Sequence, residues 1–161
     1  MANFFNELIS ESLINDWASI LDWLFDDNRF PKEKNWNKNK VGLFTKRVKK
    51  IDGISNDNFQ HKSQQSINFP KHSNGRKSLK ISIILAKQNS AGRDLIQHIR
   101  NGIAHGNTKI HKKKENIYIE IIDYNSNKKS QTAYINMRID YISQIHKIYC
   151  DIEKSLVKKH N

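Results

Sequence analysis

The hydrophobic period of this chain changes once, after residue 106, and that change limits the folds open to it. Before it, apolar residues recur every three or four positions. Phe5, Leu8, Leu13, Trp17, Ile20, Leu21 and Leu24 predict an amphipathic helix over about residues 3–26. Asn28 and Pro31 end it, and the Asn- and Lys-rich stretch 30–40 reads as a loop in which Trp36 could be pinned into the core. Val41, Leu43, Phe44 and Val48 predict a short second helix with a basic outer face, closed by Asp52-Gly53. Residues 54–74 are polar and predict a long, flexible loop with Phe59, Ile67 and Phe69 as anchors. The apolar run Leu79–Leu85 is compatible with a strand, but its place before Ala86-Lys87-Gln88 favours a buried helix over about 76–88. Asn89 and Ser90 can cap a further helix that runs to His105, and Gly106 suits a left-handed residue behind it.

Beyond Gly106 the period becomes two. Ile117, Ile119 and Ile121 alternate with Tyr118, Glu120 and Ile122. A polar turn at 125–127 leads to Ala133–Met137, so the two runs predict a β-hairpin. Tyr141, Ile145, Ile148, Tyr149, Ile152 and Leu156 then mark a last helix over about 140–157. Together these elements predict one domain over residues 1–161. It would be mainly α, an antiparallel bundle of about five helices with a β-hairpin inserted before the last.

Charge narrows the partners. The net charge is +12, with 28 Lys and Arg against 16 Asp and Glu, which favours a polyanion and above all nucleic acid. It is spread unevenly. Residues 1–27 hold six carboxylates and no Lys or Arg, whereas residues 32–50 hold eight basic residues against Glu33 alone. A second basic run, Lys109, Lys112, Lys113 and Lys114, follows residue 106 closely. No segment joins a basic face to a strong apolar one, and no apolar run approaches the ~20 residues that span a bilayer, so no membrane is expected. The single cysteine, Cys150, leaves no internal disulfide and suits the cytoplasm; it reads as a small core residue.

The residues that carry chemistry are at 95–106, Leu-Ile-Gln-His-Ile-Arg-Asn-Gly-Ile-Ala-His-Gly. On a helix, Leu95, Ile96, Ile99, Gly102 and Ile103 form one stripe, while Arg100, Asn101, His105, Gln97 and His98 face away from it. Asn101 and His105 are four apart and can touch. Arg100 and His105 are about 140° apart on an ideal helix, too far for direct contact but able to hold a group between them. Metal-free RNA cleavage needs a base for the 2′-OH proton, an acid for the leaving 5′-oxygen and a cation on the phosphate. Histidine suits the proton steps and arginine the phosphate. The spacing alone is common, and a solvated helix face would read the same way.

The full string Arg100-Asn101-Gly102-Ile103-Ala104-His105-Gly106 resembles the signature of the HEPN superfamily: Arg, a polar residue, a short spacer and His near the end of a helix. The resemblance implies a helical bundle and a metal-independent endoribonuclease that works as a homodimer, two motifs facing one cleft. Arg100 would then bind the scissile phosphate, His105 would be the acid–base group, and Asn101 would support them. It further implies a toxin or an anti-phage defence effector, with an antitoxin protein as a candidate partner. Some members only bind nucleotides or partners without catalysis, and that alternative stays open. So does a DNA-binding protein that uses the basic second helix.

Six further residues are candidates for RNA contact: His98, Lys109, His111, Lys112, Lys46 and Arg47. His98 lies on the polar side of the motif helix, where a simply solvated histidine is the other reading. Tyr118, Tyr124 and Tyr134 could stack on bases or pack on the sheet. The seven histidines show no metal-binding spacing, and no Gly-rich phosphate loop is present, so neither metal nor cofactor is expected.

Overall fold

The computed structural model describes residues 11–25, 37–70, 80–127 and 129–157, with side chains described from Trp17 and as far as Ser155. The elements in chain order are α1 (Glu11–Phe25), α2 (Lys38–Val48), β1 (Phe59–Lys62), a 3-10 turn (Gln64–Ser66) and β2 (Ser82–Ala86). Then come α3 (Ala91–Ala104), β3 (Thr108–Lys113), β4 (Asn116–Tyr124), β5 (Gln131–Arg138) and α4 (Asp140–Val157). The strands form one sheet in the order β1-β2-β5-β4-β3, parallel between β1 and β2 and antiparallel elsewhere.

The expected helical bundle is therefore corrected: the described fold is α/β, with a five-stranded mixed sheet at its centre. The predicted hairpin is present as β4–β5, but it forms the middle of a sheet rather than an insertion in a bundle. The run read as a helix over 76–88 contains β2 instead; residues 76–79 of that reading lie outside the described part, as does Trp36. The physical reason is burial on both sides. Ile83, Ile84, Leu85 and Ala86 are all buried, so the strand shows no alternation and reads like a core helix. Five residues with adjacent β-branched isoleucines fit a short inner strand better than a helix. The loop predicted at 54–74 holds β1, whose sequence Phe-Gln-His-Lys is too polar to announce an edge strand.

All four helices among the described residues contribute to one core on one face of the sheet. Trp17, Ile20 and Trp23 of α1, Phe44 and Val48 of α2, Leu95 and Ile99 of α3, and Ile142 and Ile145 of α4 meet Ile83, Leu85, Ile121, Ile135 and Met137. Each fully buried aliphatic side chain contributes roughly 1.5–3 kcal/mol. On the other face, Ile84, Ile122 and Tyr134 are covered by Ile67 and Phe69, so two of the expected anchors of the 54–74 segment do pack there. Phe59 is buried in the main core. Tyr134 is buried and Tyr124 half-buried on this second cluster, so both pack on the sheet.

The helix α3 lies directly across β4. A Cβ at Gly102 would overlap the side chain of Ile121, so only glycine permits this close approach. That crossing brings the sheet against the polar side of α3 as well as its apolar stripe. Among the described residues, no helix is long and apolar enough to cross a membrane.

Candidate active site at the end of α3

The motif helix begins and ends on strong local signals. The Ser90 side chain accepts a hydrogen bond from the Arg93 N–H and caps the first turn. At the other end the Asn107 N–H donates to the Gly102 carbonyl (2.8 Å) and the Gly106 N–H to that of Ile103 (3.1 Å). This is a Schellman closure, and Gly106 takes the left-handed φ of +69° that it needs. The Asn107 carbonyl then accepts from the Ile122 N–H (3.0 Å), which ties the helix end to β4. His105 is the capping residue, its side chain exposed beside this fixed turn.

A buried carboxylate holds the turn before it. Asp123, at the end of β4, is 2% exposed. Its Oδ2 accepts from the Asn101 amide (3.1 Å) and lies 2.7 Å from His98 Nδ1, while the Tyr124 N–H donates to its Oδ1 (2.9 Å). The His98–Asp123 bond needs one proton between nitrogen and oxygen, and the carboxylate oxygen is the natural acceptor. Asn101 is thus locked in one orientation, one residue from Arg100 and one turn from His105. Arg100 is half-buried on the same turn. Arg100, Asn101 and His105 occupy the last two turns of α3, and about 7.5 Å of axial rise separates the arginine from the histidine.

The other nominated residues are not gathered here. His98 is 1% exposed, so it is neither solvated nor available to RNA; the sheet that carries Asp123 covers it. Lys109 and His111 pair with Glu120 and Tyr118, which places them on the sheet face opposite α3. His111 Nε2 is 3.5 Å from the buried Glu120 Oε2. Lys112 points to the α3 side, but about 13 Å along β3 from its start. Lys46 and Arg47 lie in the last turn of α2, whose Phe44 rests against Gly92 at the start of α3. That is about 20 Å along the helix from His105.

A second buried carboxylate, Asp94, fixes the other end of α3. It accepts from the N–H groups of Gln88 and Asn89 (both 2.9 Å) and the Asn89 amide (3.1 Å), and it lies 2.8 Å from His61 Nε2. Burial pushes its pKa up, but the Asn89 and Gln88 N–H groups and His61 outweigh that and hold it below the ordinary carboxylate value. A depressed value in the folded state stabilises the fold above the unfolded value of about 3.9, and this stability is lost as pH falls through the folded value. Urea midpoints should therefore drop on acidification below about pH 4. In Asp94→Asn that acid-dependent drop should be smaller.

Neither Asp94 nor Asp123 stood out in the sequence. A usable signal existed for Asp123: it continues the series Ile117, Ile119, Ile121, which marks the helix-facing side of the strand. A carboxylate at a core position requires a partner. Among the described residues, no group of three or more His, Cys, Asp and Glu could hold a metal ion.

Comparison with known proteins decides the family. The HEPN pEK499 p136 family model matches residues 10–160. The chain belongs to this HEPN family. Neither the curated proteins nor the solved structures gave a match. The segment Arg100–His105 of this HEPN protein thus sits on a helix packed across a sheet, and Asn101 within it is anchored by a strand residue.

Proposed function

We propose that this HEPN protein is a metal-independent endoribonuclease. The observation that carries the proposal is the built end of α3: an exposed His105 on a closed turn, a half-buried Arg100 about 7.5 Å back along the axis, and Asn101 held by buried Asp123. In the reaction a 2′-oxygen of RNA loses its proton to a base and attacks the adjacent phosphorus. The P–O5′ bond breaks, and the leaving oxygen takes a proton from an acid. The products are a 2′,3′-cyclic phosphate and a 5′-hydroxyl. Arg100 neutralises charge on the phosphate oxygens, and His105 moves a proton. One histidine per chain fills one proton role at a time. A homodimer with two facing motifs provides base and acid together. Within a cell the protein acts in the cytoplasm as a toxin or anti-phage effector, restrained by an antitoxin protein.

The test is incubation of purified protein with a long single-stranded RNA in EDTA. Fragments ending in a 2′,3′-cyclic phosphate support the proposal. Intact RNA alongside saturable RNA binding would instead favour a non-catalytic binding module.

A further inference from the structure

An open groove of about 910 Å3 lies between α2 and the start of α3. Lys38 and Lys46 of α2, Lys49 at its C-cap and Arg93 of α3 line it together with Val41 and Ala91, and the Lys49 ammonium is turned toward Asn56 (3.4 Å) and the Phe59 ring. Among the described residues lining it, none is acidic. From Lys38 to Lys46 the groove follows α2 for about 12 Å, with Arg93 contributed by α3. A single phosphate would engage one end of such a row, and a flat membrane surface would not enter a concave groove. A chain of regularly spaced phosphates matches it.

We propose that this groove is an RNA exosite, which holds the phosphodiester backbone of a single strand at a distance from the cutting turn. This rests on RNA being the substrate of the Arg100–His105 site. The groove adjoins the first turn of α3 and the proposed chemistry its last, about 20 Å away, so one strand of several nucleotides could engage both. Each lysine that neutralises a phosphate releases counterions, so single-strand affinity falls with salt by about 0.7 log units per log unit of salt for each contact. Val41 and Ala91 add contact area without carboxylates to repel the strand.

The experiment measures binding, so its outcome is separable from that of the cleavage assay. A fluorescein-labelled 20-nucleotide single-stranded RNA is titrated in EDTA, at several salt concentrations, against wild type and the double variant Lys38→Glu/Lys46→Glu. A matched control, Lys50→Glu/Lys87→Glu, changes net charge equally on exposed lysines that do not line the groove. Thermal melts confirm that all three proteins are folded. The groove variant should bind at least tenfold more weakly, with a shallower salt slope, while the control stays within about threefold of wild type. Equal weakening in both variants would overturn the proposal, because bulk charge would then account for binding. An unchanged dissociation constant in the groove variant would overturn it too, as would equal competition by duplex DNA of the same length. If RNA is bound through the groove but never cut, the groove stands as an RNA-binding site, while the nuclease reading fails and the exosite role with it.

Discussion

Asp123→Ala is expected to destabilise the protein by about 2–3 kcal/mol, the upper end of the cost of leaving buried hydrogen-bond donors without their acceptor. The carboxylate is 2% exposed and serves three groups: His98 Nδ1, the Asn101 amide and the Tyr124 N–H. Its removal leaves His98 Nδ1 and the Asn101 amide without that acceptor, in a site the sheet closes to water. The urea midpoint is the readout, and a loss below about 1 kcal/mol would mean that the network adds no more than an ordinary hydrogen bond. Asp123→Asn separates stability from positioning. It keeps the volume and one carbonyl acceptor, so it should cost less. An amide cannot accept at both oxygen positions as the carboxylate does, so Asn101 should be held less firmly. Cleavage should then fall through kcat more than through KM, and the pH profile should change. A variant that lost only stability would assign Asp123 a purely structural role.

The same network explains which parts of the molecule were legible beforehand. Helix α3 was readable because its signals are local: Ser90 at its start, an apolar stripe, and Gly106 in the left-handed region behind His105. The hairpin β4–β5 was readable because isoleucines alternate along its first strand. What escaped depends on pairing between distant segments. The strand β2 is covered on both faces, and that erased the period that would have told it from a helix. β1 and β3 are edge strands, polar or lysine-rich, and charged edges resist pairing with other chains. His98 was read as a residue of the outward polar side of α3, yet its ring is buried. Gly102 lets β4 come so close that the sheet covers it, and Asp123 supplies the partner that makes a histidine tolerable there. The wheel of one helix could not disclose a carboxylate 25 residues further along the chain. Lys109 and His111, close to the motif in sequence, are separated from it by the sheet, since alternation on β3 sends both to the far face.

His105→Ala is the second large effect expected. The side chain is exposed on a turn closed by backbone hydrogen bonds, and Gly106 beside it has open space around it. Loss of the imidazole should leave the fold intact, with a melting temperature close to that of wild type. Cleavage should slow by about 10²–10⁴-fold, the usual contribution of a positioned acid or base. Arg100→Ala should also slow the reaction, and Lys at that position should rescue it only in part, because an ammonium lacks the planar fork of donors. The central claim is tested most directly by single-turnover cleavage of one end-labelled RNA in EDTA, by wild type and by His105→Ala at matched saturation. The account predicts 2′,3′-cyclic phosphate ends from wild type and a rate at least a hundredfold lower from a folded, RNA-binding His105→Ala. Equal rates from the two proteins would contradict it.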